Sequence, residues 1–220
     1  MVEQVNERMG AAARLVAGVC AVVVWAALAL QLKLIADNLG FGLGVWRYFG
    51  YFTILTNIGV ALVATAVALG WRNALAGPRA RFLAATSIVL VGLVYSIALR
   101  SEWNPTGLQK VADFALHDAS PLLFIMVWIL APNGTLGRRD FWWALAPPSL
   151  YAVYALARGA VDGWYAYYFF DPNTQSLTQI AVSIGILVGS FAVIAAVLLV
   201  VDGWLGRHEA EEAAEDAANS

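Results

Sequence analysis

What most limits this chain is a series of apolar stretches too long and too uninterrupted for the core of a water-soluble domain. A helix that crosses a bilayer needs about 20 predominantly apolar residues. Six such stretches can be read, at residues 12–36, 46–70, 79–99, 111–130, 141–159 and 177–201. The connections are short, so residues 1–206 read as a single transmembrane domain. The expected fold class is all-α, a polytopic bundle of six transmembrane helices. Charge agrees: 28 of 220 residues are charged, or 13%, about half the roughly 25% of a soluble domain. Residues 207–220 are Ala-rich and acidic, and are expected to form a disordered tail.

The same scarcity excludes functions. A net charge of −2 without a Lys/Arg cluster excludes a basic nucleic-acid binder. Cys20 is the single cysteine, so neither a disulfide framework nor a CxxC site can form. His117 and His208 alone leave little scope for a His-rich centre, and no metal or cofactor is expected. The first apolar run is too long for a signal-peptide h-region, and Val19 before Cys20 is not the small residue of a lipoprotein cleavage site. It reads as a retained span.

Orientation follows from Lys and Arg. Arg8, Arg14, Arg72, Arg79, Arg81, Arg138, Arg139 and Arg207 fall on one side, and Lys33, Arg47, Arg100, Lys110 and Arg158 on the other. The richer side is cytoplasmic by the positive-inside rule, which puts both termini there. Asp37, Glu102, Asp113, Asp118, Asp162 and Asp171 then join the five cations and His117 on the outer side. Ionisable groups at membrane depth are costly, and each demands a partner or a function.

Depth selects two residues. Thr53 lies roughly 10 Å, and His117 roughly 9 Å, below the outer ends of the second and fourth spans at 1.5 Å per residue. The two match in depth and can meet across a bundle. Asp113 precedes His117 by four residues and shares its helix face, where a carboxylate can hold one imidazole nitrogen and leave the other free as a base. Asn57 shares the Thr53 face one turn deeper. Pro121 in the fourth span, and Pro147 and Pro148 in the fifth, are expected to kink their helices and open space.

Structural readings stand beside these. A threonine in a membrane helix usually bonds back to the carbonyl four residues earlier, here Phe49. His117 with Asp113 can be a buried structural pair. Arg100 and Arg158 can be snorkelling anchors, and Trp46, Trp103 and Trp164 an interfacial belt. Gly185 and Gly189 form a GxxxG, most simply a packing face.

The least generic segment is the outer loop Arg158-Gly159-Ala160-Val161-Asp162-Gly163-Trp164-Tyr165-Ala166-Tyr167-Tyr168-Phe169-Phe170-Asp171-Pro172. It resembles the RG…GWYPYPFxD signature of bacterial six-span membrane proteins. These are distant relatives of the androgen-induced, androgen-dependent TFPI-regulating family of threonine-type lipid hydrolases. YFTILTN in the second span is similar to that family's Y-[FL]-T segment, and FALHDASPLLF in the fourth to its histidine segment. The resemblance runs from the second span to the sixth, and departs from the signature at Ala166 and Tyr168, where prolines are common.

The resemblance implies hydrolysis of fatty acid esters of hydroxy fatty acids, with Thr53 as nucleophile and His117 as base, in the bacterial inner membrane; the depth of both residues below the outer span ends leads us to expect a site open to the outer leaflet. An oxyanion donor is also required. In a continuous helix the backbone N–H groups are already used, so a side chain is expected: Asn57, Arg100, Arg158 or a tyrosine. Arg100, Arg158, Trp164 and Tyr165 are the expected substrate-binding residues, an arginine suiting a substrate carboxylate by bidentate pairing. The alternative class is a non-enzymatic lipid- or solute-binding scaffold or small transporter. No inverted repeat supports transport.

Overall fold

A computed structural model describes residues 9–101 and 103–218, so Arg8 and Glu102 lie outside the described residues. The described chain is helical. In chain order the helices are α1 (Ala11–Leu39), α2 (Phe41–Tyr48), α3 (Phe52–Ala68), α4 (Pro78–Val94), α5 (Gly107–Phe114), α6 (Ser120–Leu130), α7 (Arg138–Ala144), α8 (Ala146–Asp162) and α9 (Leu177–Ala218). A π-turn, Tyr95–Leu99, continues α4, and a second, Ala115–Ala119, joins α5 to α6.

Among the described residues four helices are long and apolar enough to cross a membrane: Ala11–Leu39, Pro78–Ile97, Gly107–Leu130 and Leu177–His208. A fifth crossing exists if α2 and α3 count as one span, and these meet at a bend of 78°. The expected continuous helix over 46–70 is therefore broken. The expected span at 141–159 is not one helix either. It divides between α7 and α8 at Leu145, with Pro147 and Pro148 in the first turn of α8. Proline fits a first turn, where its missing N–H has no intrahelical acceptor to serve, and cannot continue a preceding helix. The expected tail also differs: α9 does not end at Arg207 but runs to Ala218. Its Ala and Glu residues are strong helix formers that extend the last apolar helix.

The core forms where α1 packs on α3 and α6, and α3 on α4. Small residues let the backbones approach: Ala17, Cys20, Ala61, Ala64 and Ala85 are fully buried. Gly44 sits so close to α1 that a Cβ there would come within 2.7 Å of the Ala36 backbone. At one end of the bundle buried polar groups are each answered. Arg81 donates to the carbonyls of Ala76 and Pro132, and the Asp202 carboxylate accepts from the Leu136 N–H. Buried charges persist only when matched in this way.

Candidate active site

The break before α3 decides the chemistry of Thr53. α3 begins at Phe52, so Thr53 lies in a first turn, not within a continuous helix. The first N–H groups of a helix have no intrahelical acceptor. Leu55 is the first to bond, to the Tyr51 carbonyl at 3.2 Å. The N–H groups of Phe52 and Thr53 are thereby released and meet the phenol oxygen of Tyr167. The expectation that backbone donors are spent fails here, because it assumed an unbroken helix.

The Thr53 hydroxyl is also released from its ordinary bond. Thr65 donates to Ala61 O at 2.7 Å and Thr86 to Phe82 O at 2.9 Å, the usual back-bond of a helical threonine. The Phe49 carbonyl that would hold Thr53 is instead taken by the Tyr154 hydroxyl, at 2.9 Å. Thr53 interacts with the Tyr167 side chain. Burial pushes the Tyr167 phenol above its ordinary range.

His117 is held from two directions. Its Nδ1 lies 2.9 Å from the Asp113 carbonyl and 3.3 Å from the Asp113 carboxylate. Tyr95 donates to that carboxylate and stacks on the imidazole, with ring centroids 4.1 Å apart. With Nδ1 committed to Asp113, Nε2 is the free ring nitrogen. Tyr95 and His117 both lie on π-turns, which rotate a helix face relative to regular winding and recur at functional sites.

One π-turn has a visible cause. The Ser120 N–H reaches back to the Ala115 carbonyl, five residues away. The next donor in that pattern would belong to Pro121, which has none, so the Leu116 carbonyl is left without a backbone partner. Asn57 Nδ2 supplies the bond at 3.3 Å and also donates to the Thr53 carbonyl at 2.9 Å. Asn57 is fully buried. It is a brace between the threonine helix and the histidine helix, not an oxyanion donor facing a ligand.

Thr53 and His117 line one cavity of about 40 Å³, together with Phe52, Tyr95, Tyr151 and Tyr167. Both are among the described residues, and no hydrogen bond joins them. A volume of 40 Å³ holds a few water molecules at roughly 10–15 Å³ each.

The four residues expected to bind substrate lie outside that cavity. Arg158 donates to the Trp46 carbonyl and to the Tyr154 hydroxyl, and stacks 3.9 Å over Trp46. It ties α8 to α2. Trp164 lies under Arg47 at 4.2 Å and against Gly50. The Tyr165 ring covers Gly159, where no Cβ would fit. Arg100 stacks 4.8 Å over the Tyr95 ring and pairs with Asp118. It is one ring away from His117, at an exposed position.

Tyr95 and Tyr167 were the residues missed. Tyr95 carries a signal, a phenol inside an apolar run, but its partner Asp113 is 18 residues away. Tyr167 stands out only as one aromatic among many in its loop. Among the described residues no three His, Cys, Asp or Glu side chains gather closely enough to hold a metal. Compared with known protein families, with curated proteins and with solved structures, the chain matches none.

Proposed function

We propose that this protein is an intramembrane lipid ester hydrolase with Thr53 as nucleophile and His117 as general base. It crosses a bacterial inner membrane six times, with both termini cytoplasmic and the site opening to the outer leaflet. α7 and α8 together make the fifth crossing. The observation that carries the reading is the state of Thr53. Its hydroxyl is not spent on a back-bond, and it shares a cavity with an imidazole whose other nitrogen is occupied. The resemblance of the YFTILTN, FALHDASP and outer-loop segments to threonine-type lipid hydrolases supports the same assignment, with fatty acid esters of hydroxy fatty acids as the substrate class.

The chemistry runs in two halves. Thr53 Oγ attacks the ester carbonyl carbon as its proton passes to His117 Nε2. The developing oxyanion displaces the Tyr167 phenol oxygen from the N–H groups of Phe52 and Thr53 and accepts from them in its place. The intermediate collapses, the alcohol leaves with the proton from His117, and an acyl-Thr53 ester remains. Water then attacks that ester, gives its proton to His117, and releases the acid as Thr53 recovers its own. Asp113 orients the imidazole and stabilises the imidazolium. The cavity must widen, and the Thr53–His117 gap must close to about 3 Å, for this to proceed.

A fluorophosphonate probe on the purified protein tests the assignment. The expected result is an adduct on the peptide that contains Thr53, absent from Thr53→Ala. Labelling that persists in that variant moves the nucleophile elsewhere. No labelling of any residue would support a non-enzymatic lipid-binding role instead.

A further inference from the structure

A larger hollow lies beside the first. It has a volume of about 650 Å³ and runs between α3, α4 and α8. The two share a wall: Phe52 and Tyr151 line both, and their rings touch with centroids 5.0 Å apart. Small side chains create the space. Gly59, Ala80, Ala84 and Ser87 face it, with Leu150, Tyr151 and Tyr154 of α8 on the other side. Gly59 has nothing within 4 Å of where its Cβ would stand.

Along α3 the hollow is lined from Phe52 to Val63, a length of about 16 Å at 1.5 Å per residue. Its walls are otherwise hydrocarbon, but two hydroxyls stand within it. Thr56 is 8% exposed and Ser87 6% exposed, and neither makes a hydrogen bond within the described residues.

We propose that this groove binds the hydrocarbon chain of a lipid substrate, with the Phe52–Tyr151 pair as the partition that parts to bring the ester carbonyl to Thr53. The inference rests on the hydrolase reading for that last step, but the groove itself does not. Three observations select an acyl chain as the occupant. The 40 Å³ cavity is too small for one, so the chain must lie elsewhere. The groove begins at Phe52, the residue before the nucleophile. Its volume falls within the roughly 300–1,000 Å³ of ligand sites, and its length suits a medium or long chain.

The test uses full-length protein in nanodiscs and palmitic acid carrying a diazirine, with the photoadducts mapped by mass spectrometry. Expected are saturable adducts on groove residues such as Leu55, Leu83 and Leu150, displaced by unlabelled palmitate. Gly59→Phe fills open space and should cut them at least fivefold. Leu150→Trp, at a position 69% exposed, serves if the first variant is unstable. Adducts spread evenly over outward residues such as Leu15 and Val193, unaltered by either variant, would overturn the groove. So would a cross-link between two copies through Leu150, since a second chain would then occupy it. Ester hydrolysis separates the two claims. Active wild type whose preference shifts to shorter chains in Gly59→Phe supports both. Saturable labelling without any hydrolysis keeps the groove and ends the hydrolase reading. Hydrolysis with neither saturable labelling nor a chain-length shift ends the groove alone.

Discussion

At the residue scale the account turns on which polar groups are already occupied. Thr53 has lost the acceptor that holds Thr65 and Thr86, and His117 has one nitrogen fixed and one free. Asp113 keeps the imidazole oriented, so Asp113→Asn should lower kcat less than His117→Ala does, because the amide still holds the ring but no longer balances the imidazolium charge. Tyr95→Phe removes one donor to that carboxylate and keeps the stacked ring. It should cost about 1 kcal/mol of stability, read as a fall in Tm, and reduce kcat several-fold. Depth and spacing in the sequence made Thr53, His117 and Asp113 visible. They left Tyr167 hidden, because a loop residue's distance to a helix start more than a hundred positions earlier is set by tertiary packing. The contacts of Arg158 were hidden for a similar reason: the Trp46 ring and carbonyl that hold it are 112 residues away.

At the scale of elements, irregular backbone builds the site. The 78° bend between α2 and α3 exposes the first N–H groups of α3, and two π-turns aim Tyr95 and His117 at each other. Hydropathy cannot register the bend, since the run from Tyr48 to Phe52 is apolar on both sides of it and Gly50 is a weak break signal. Pro121 was legible, and the π-turn before it is the form its kink takes. Asn57→Leu tests how these elements are joined. It leaves the Leu116 carbonyl buried and unpaired, which should cost about 1–3 kcal/mol, measured by thermal melting. Activity should fall beyond the loss of folded protein, because Thr53 and His117 would lose their common brace. An unchanged Tm would mean that another donor serves Leu116.

At the scale of the whole molecule, a polar latch ties the loop after α8 to α2. Asp162 accepts from the Trp46 indole at 2.7 Å and from the Trp164 N–H, and pairs with Arg47 at 3.2 Å. It lies past the outer end of the span expected at 141–159. The Trp46 indole bond, then the Trp164 N–H and the Arg47 charge, hold its carboxyl below the usual carboxylate range. A depressed folded pKa contributes stability that is complete at neutral pH and lost as pH falls through the carboxylate range to the folded value. Asp162→Asn should therefore flatten the acid side of the Tm–pH profile and leave its alkaline side unchanged. The all-helical, membrane-type architecture was legible from apolar run lengths alone, but where those runs break was not, because breaks depend on packing. The proposed topology predicts that a reporter fused at Ser220 reads as cytoplasmic. A periplasmic reading would reverse the orientation and the leaflet that supplies substrate.

Whether Thr53 and His117 act as one unit is read from the hydrolysis kinetics of a long-chain ester by the two single variants and the double variant. Residues that share a step are not additive. Thr53→Ala and His117→Ala should each lose at least about a hundredfold in kcat, the order contributed by a positioned base, with the double variant little slower than either and all three still folded. Losses that multiply in the double variant and track the loss of thermal stability would contradict the account, and would make the pair part of the bundle's packing.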